Sequence, residues 1–227
     1  MGTAFNLDNR LALCASFVRK DTKLVDVGTD HAYLPIWLVC SGVINTAVAC
    51  DVRSGPLENA KNNIEFYHVQ QKIKTVLSDG LDNIAPEDAY DIVMAGMGGE
   101  LIAEIIKRQQ WLCDGKRRLI LQPMTRAESL RLFLCENGFD IIKEKACVSG
   151  KKTYSVMLCE YDGILRQCDK LFQYVGMLID DYSDDARKYI SAVNFKLKKK
   201  IRAYEKNSRE YEELKIIIEK LNNCTKE

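Results

Sequence analysis

The feature that most constrains this chain is a series of short apolar runs. Each passes into a glycine, an acid or an amide, and nearly every one is followed by a helical stretch. The first, Lys23 to Val27, enters Gly28-Thr29-Asp30-His31-Ala32 directly, and Leu34 to Ser41 then reads as a helix that stops at Gly42. Thr46 to Cys50 is a second buried strand ending at Asp51, followed by a helix from Ser54 to about Val69, with Ser54 as its cap and Pro56 in its first turn. Lys72 to Leu77 alternates and runs into Ser78-Asp79-Gly80-Leu81. Asp91 to Ala95 gives way to Gly96-Met97-Gly98-Gly99 and a helix reaching about Gln109. Arg118 to Leu121 ends in Gln122-Pro123, and Arg126 to Asn137 is a helix closed by Gly138. Phe139 to Val148 and Thr153 to Glu160 are separated only by Ser149-Gly150-Lys151-Lys152, which makes them a hairpin. Upstream, Leu7, Leu11, Cys14, Ala15 and Val18 fall at helical spacing. Alternation through five strands and then a hairpin predicts a Rossmann-like, doubly wound α/β sheet, mostly parallel, with its last strand inserted antiparallel.

A sheet of this kind binds ligands in a crevice at the carboxyl ends of its strands, which singles out the residues found there. Gly28 lets the backbone come close to a ligand, but G-T-D-H-A is not G-x-G-x-x-G, and no G-x-x-x-x-G-K-[ST] occurs. Nicotinamide and flavin enzymes and ATPases are thereby disfavoured. Asp51 ends the second strand roughly 20 residues on, where an acid accepts hydrogen bonds from both ribose hydroxyls. Asp79, beside Gly80, is placed to receive an adenine amino group, and Gly96 with Met97 leaves room for a ligand. Adenosine without a phosphate grip points to S-adenosylmethionine. Asp26 either senses the ammonium of that cofactor or is a buried aspartate satisfied by backbone amides.

Composition excludes several alternatives. No apolar run in the 227 residues approaches the roughly 18 that span a membrane. The first ten residues also lack the basic start and apolar core of a secretory signal. Nine cysteines with no C-x-x-C pair, and only two histidines, suit reduced thiols in a cytoplasm better than a disulfide framework or a metal site. The formal net charge of +1 says nothing about partners, but its distribution does. After Tyr161-Asp162-Gly163 strand signals stop. Ile190, Val193, Leu197, Tyr204, Tyr211, Leu214, Ile218 and Leu221 then fit one heptad frame, interrupted by Lys200 and Asn207. A Rossmann-like domain over 1–162 and a helical coiled-coil extension over 163–227 are expected. Asn207 to Glu210 reads as a capping box, so a helical hairpin and a single bent helix are both open. Lys196, Lys198, Lys199, Lys200, Arg202, Lys206 and Arg209 are opposed mainly by Glu205, which suits a solvated face or a phosphate grip.

The stretches D-V-G-T-D-H-A-Y-L-P, S-D-G-L, I-V-M-A-G-M-G-G and L-I-L-Q-P resemble the bacterial tRNA (adenine-22-N1)-methyltransferases, the TrmK family, over nearly the whole chain. The resemblance implies a class I methyltransferase that uses S-adenosylmethionine, takes tRNA as partner and grips it with the helical extension. One departure is Met124, where relatives usually carry Asn after the Gln-Pro pair. On this reading adenine N1 already offers its lone pair, so no strong base is required. Asp30 is expected to stabilise the positive charge of the product ring or manage the exocyclic amine proton. His31 either orients Asp30, contacts the cofactor, or merely caps a helix. Gln122 and Pro123 mark the seat of the target base, and Tyr33 either stacks on it or belongs to the core. Lys196, Lys199, Lys200 and Arg202 are expected on RNA phosphates, with the protein a monomer or weak dimer. The rivals are a methyltransferase for a small molecule or protein, and a non-catalytic RNA-binding or assembly protein.

Overall fold

The computed structural model describes residues 5–206 and 208–224. Seven strands form one sheet: β1 (Lys23–Val27), β2 (Thr46–Asp51), β3 (Ile73–Leu77), β4 (Asp91–Gly98), β5 (Arg118–Thr125), β6 (Phe139–Ser149) and β7 (Lys152–Tyr161). Their order is β3-β2-β1-β4-β5-β7-β6. The first five are parallel, and β7 inserts antiparallel between β5 and β6. This is the predicted topology.

Alternation along the strands divides the core in two, because successive side chains leave opposite faces of a sheet. Leu24, Ala47, Ala49, Val93 and Ile120 face one side, where α1 (Asn9–Ala15), α2 (Tyr33–Cys40) and α3 (Ser54–Phe66) supply Cys14, Leu34, Ile36 and Ile64. Val25, Val27, Val48, Ile92, Met94, Leu119 and Leu121 face the other, against Ile102 and Ile105 of α4 (Gly99–Arg108) and Leu130 and Leu134 of α5 (Ala127–Glu136).

Several local details differ from expectation, and β4 runs past Ala95 to Gly98. Ser54 is the first residue of α3, not its cap; the capping position is Arg53, which makes no side-chain cap bond. Strand β5 also continues through Gln122 and Pro123 to Thr125, because its register with β4 shifts between Ala95 and Met97. That irregularity accommodates a proline, which has no N–H to give to a ladder.

Beyond the sheet come α6 (Lys170–Val175), a 3-10 turn (Gly176–Asp180), α7 (Asp184–Lys200) and α8 (Arg209–Cys224). Of the two readings of the basic region, the hairpin holds. A second 3-10 turn (Ile201–Ala203) ends α7, and α8 folds back so that Asn194 Nδ2 and Lys198 Nζ both donate to Asn222 Oδ1, at 2.9 and 2.7 Å. Ser208 Oγ accepts from the Tyr211 amide at 3.2 Å; Asn207, which opened the predicted capping box, lies outside the described residues. Ile190, Leu197, Leu214, Ile217 and Leu221 bury the seam together with Val175.

A buried ion pair docks these helices on the sheet. Arg131 of α5 and Glu144 of β6 are both 0% exposed, with Nη2 to Oε1 at 2.6 Å. Arg131 also donates to the carbonyls of Gln173 and Tyr174 at 2.7 and 3.1 Å and to Tyr189 Oη at 3.2 Å, while Glu144 accepts the Met177 amide. Gly176, at φ 56°, passes so close to both side chains that a Cβ would collide with them. Removing one member strands the other without water, which costs about 3–5 kcal/mol. Arg131→Met is therefore expected to lower the urea midpoint sharply, and Arg131→Met/Glu144→Leu to recover part of the loss. A single variant as stable as wild type would contradict the assignment.

Candidate active site

The parallel register aligns the ends of four strands: Val27 pairs with Cys50 and Met94, and Ala95 with Gln122. The residues that follow therefore open onto one crevice of about 480 Å³, lined by Asp26, Gly28, Asp30, His31, Tyr33, Asp51 and Gly96 among others. Its position outside β1 and β4 is where the chain reverses its winding direction, the usual ligand site of such sheets.

Gly28 makes the turn possible. At φ 75° it adopts a left-handed conformation, while its N–H and that of Thr29 both donate to the Cys50 carbonyl, at 2.8 and 2.9 Å. The Met97 side chain packs over Gly28 against the α4–α5 core, not in the crevice wall. Asp26 sits at the crevice floor, 8% exposed, and no backbone amide among the described residues donates to it. Burial pushes its carboxyl up to about 6, opposed in part by the Thr29 side chain and then by the Arg10 guanidinium. Asp51, also buried, spends one oxygen on the Arg53 amide at 2.8 Å.

On the outer lip Asp30 is 67% exposed, with Oδ2 3.3 Å from His31 Nε2. His31 does not cap α2, whose N-cap is Ala32 without a side-chain bond. Its ring instead stacks on Tyr33 at 5.2 Å and 22°, and Tyr33 meets Phe5 edge-on. Tyr33 is thus half-exposed wall, not core.

Other expected residues are placed differently. Asp79 points to the α4 side of the sheet, where Arg108 holds its carboxylate at 3.0 and 3.1 Å and lowers its pKa. Neither Asp79 nor Gly80 lines the crevice, and Gly80 packs against Ile105. Gln122 is fully buried and occupied: Oε1 accepts from Arg10 Nη1 at 3.0 Å and from the Gly96 amide at 3.1 Å, and Nε2 donates to the Pro123 carbonyl. It braces the crevice instead of facing a base. Pro123 lies next door, in a second cavity of about 220 Å³ between the end of β5, the start of β7 and α7. Lys196 and Lys200 line that cavity; Lys199 lies over the Phe195 ring at 4.4 Å and does not, nor does Arg202. Met124 lines both cavities. Arg10, Arg126 and Tyr174 were invisible to sequence reasoning, because nothing in their local pattern distinguishes them from ordinary helix residues.

The crevice fits a cationic nucleoside. Asp26 and Asp51 are acceptors when ionised, suited to an ammonium and a ribose diol, and with Asp8 and Asp30 the lining acids outnumber its arginines, Arg10 and Arg53. Among the described residues no His/Cys/Asp/Glu group has the geometry of a metal site, and no helix is long and apolar enough to cross a membrane. A doubly wound sheet with acids at two adjacent strand ends and no phosphate-gripping loop is the architecture of a class I methyltransferase.

Comparison with known proteins agrees. The sequence matches the Methyltransferase domain family over residues 7–157. The tRNA (adenine(22)-N(1))-methyltransferase of Bacillus subtilis is 34% identical over 165 residues, 70% of this chain and 69% of that one. The crystal structure of a B. subtilis m1A22 tRNA methyltransferase, TrmK, is 28% identical with a TM-score of 0.81, covering 97% of this chain and 99% of its own. A Streptococcus pneumoniae protein solved with S-adenosyl-L-methionine is 32% identical with a TM-score of 0.84, covering 97% and 100%. The chain belongs to the TrmK family of tRNA (adenine-22-N1)-methyltransferases.

The Asp26 environment gives a stability test. A carboxyl held near 6 when folded and near 4 when unfolded makes the folded state bind the extra proton in between, so this group's contribution falls as pH rises through 6. Asp26→Asn is expected to remove that slope and to stabilise the protein at pH 7.5 by roughly 1–3 kcal/mol. Urea unfolding at pH 5 and pH 7.5 measures it; an unchanged difference between the two would contradict the burial argument.

Proposed function

We infer that the chain methylates N1 of adenine 22 in tRNA in the cytoplasm. Residues 1–162 act as the catalytic domain and residues 163–227 as the RNA-gripping domain, with α7 and α8 a short antiparallel coiled coil. The observation that carries this reading is the junction at Met124 of an acidic crevice and a lysine-bearing cavity, in a chain of this family. S-adenosylmethionine supplies an electrophilic methyl group on a cationic sulfur. Asp26 and Asp51 hold its ammonium and ribose ends, and Gly28 and Gly96 leave room for its body.

The acceptor side falls to the outer lip. Adenine N1 needs no base to become a nucleophile, but methylation leaves the ring positively charged and its amino group more acidic. The exposed Asp30 carboxylate stabilises that charge and can take the amino proton, with His31 orienting it from 3.3 Å. Tyr33, already stacked on His31, offers a face for the displaced base. Gln122 acts indirectly, holding the Gly96 turn, while Pro123 and Met124 form the floor between the two cavities. Lys196, Lys199, Lys200 and Arg202 meet the phosphates. A small-molecule acceptor would have no use for the lysine-lined side.

Asp30→Ala is expected to reduce kcat on unmodified tRNA by about 10²–10⁴-fold while S-adenosylmethionine affinity by calorimetry stays within about threefold. A variant with full rate would remove Asp30 from the mechanism. Mapping the methyl group, with a transcript carrying guanine at position 22 as control, tests the target; equal labelling of both transcripts would overturn it.

A further inference from the structure

The second cavity belongs to no part of the methyl-donor site, and its lining is chemically distinct. We propose that it is the seat of the nucleotide adjacent to the methylated adenosine, with the phosphodiester held between Lys196 and Lys200 of α7 and the sugar against Met124 and Tyr154. This rests on the tRNA reading above and adds the place where the chain leaves the crevice.

Three observations support it. Lys196 and Lys200 are four residues apart, so one face of α7 carries both ammonium groups to the cavity. Two neighbours in the basic run lie outside this cavity: Lys198 bonds Asn222 and Lys199 lies over the Phe195 ring. Of the described carboxylates only Glu128 lines the cavity, and it is drawn toward Arg126 at 3.8 Å, so Arg126, Lys196 and Lys200 leave the lining net positive.

Lys200 is also pre-positioned. Its Nζ donates to Tyr174 Oη at 3.2 Å and lies 5.7 Å from the centre of that ring. The backbone of Tyr174 is itself anchored, since its carbonyl accepts from buried Arg131. A lysine held in this way loses less side-chain freedom on meeting a phosphate than one on an open helix face. Size is consistent as well. About 220 Å³ is below the roughly 300–1,000 Å³ of a complete small-ligand site, so the cavity suits one part of a ligand whose remainder lies in the neighbouring crevice. Met124, common to both, marks the path of the backbone between them.

The test is steady-state methylation of a tRNA transcript over a range of salt concentrations by wild type, Lys196→Gln, Lys200→Gln, Tyr174→Phe and the charge control Lys220→Gln on α8. Donor affinity is followed by calorimetry. The two cavity lysine variants are expected to raise KM for tRNA about 5–20-fold with kcat and donor affinity unchanged, and each to reduce the salt slope of log KM by about 0.7–0.9, one phosphate's worth. Tyr174→Phe is expected to raise KM about 2–5-fold with an unchanged slope, because the charge remains. If the lysine variants shift KM and slope no more than Lys220→Gln, or lower kcat alone, the subsite is wrong although the tRNA reading stands. If wild type binds the donor but methylates no tRNA, the tRNA reading fails and the subsite with it.

Discussion

The arrangement of this molecule depends on one buried charge pair. Arg131 and Glu144 sit without solvent at the junction of α5, β6, α6 and α7, 2.6 Å apart. Burial disfavours the guanidinium charge, and Glu144 more than reverses that effect. Such a pair seldom adds net stability over a well-packed apolar one, because dehydrating each ion costs several kcal/mol. What it imposes is geometry. Apart from Ser155 Oγ of β7, the donors and acceptors that complete it are the carbonyls of Gln173 and Tyr174, the Met177 amide and the Tyr189 hydroxyl, all in the C-terminal helical region. These bonds tie the helices to the pair, and α7 stands beside the end of β5 as a wall of the smaller cavity.

That wall separates two kinds of electrostatics. On the crevice side the acids Asp26, Asp30 and Asp51 collect at the ends of β1 and β2, and burial raises the carboxyl of Asp26 because no cation is tightly paired with it. On the α7 side Lys196, Lys200 and Arg126 collect around the smaller cavity. On the proposed reading a cationic donor and a polyanionic acceptor each meet the opposite charge while sharing one boundary. Orientation of two substrates across that boundary supplies much of what catalysis requires when the nucleophile already has a free lone pair.

The order and kind of the strands were legible because their signals are local, though β4 and β5 run on past the expected ends. Lys23–Val27 and Thr46–Asp51 are apolar runs punctuated by glycine or acid, and the helices between them carry their own stop signals. The acids at strand ends were legible for the same reason, but where their side chains point was not. Asp79 ends its strand in the expected place, yet Arg108, 29 residues away, turns it to the opposite face of the sheet. Gln122 likewise lies in the predicted row, yet Arg10, 112 residues away, and the Gly96 amide occupy its oxygen. Arg131 with Glu144 was beyond reach altogether, since no periodicity marks a charged pair destined for burial. The basic run reads as one feature in sequence; only the helix phase and the Tyr174 contact divide it into a face toward the site and a face away.

Occupation of Gln122 has a consequence for base recognition. Its amide cannot reach an adenine without releasing Arg10 or Gly96, and thus without loosening the crevice it braces. Two residues on, Met124 carries a thioether, which is at best a weak acceptor. Gln122 and Met124 of β5 therefore offer a surface more than a hydrogen-bond code. On the proposed reading, discrimination of adenine shifts to the opposite lip, where Asp30 can accept from the exocyclic amine and the Tyr33–His31 stack can receive the ring. Such a lip selects an amine and an aromatic face but not a sequence, so the choice of which adenine is methylated has to come from the shape of the folded RNA. The burden of specificity then falls on the position of α7, and through it on the buried pair that fixes that helix.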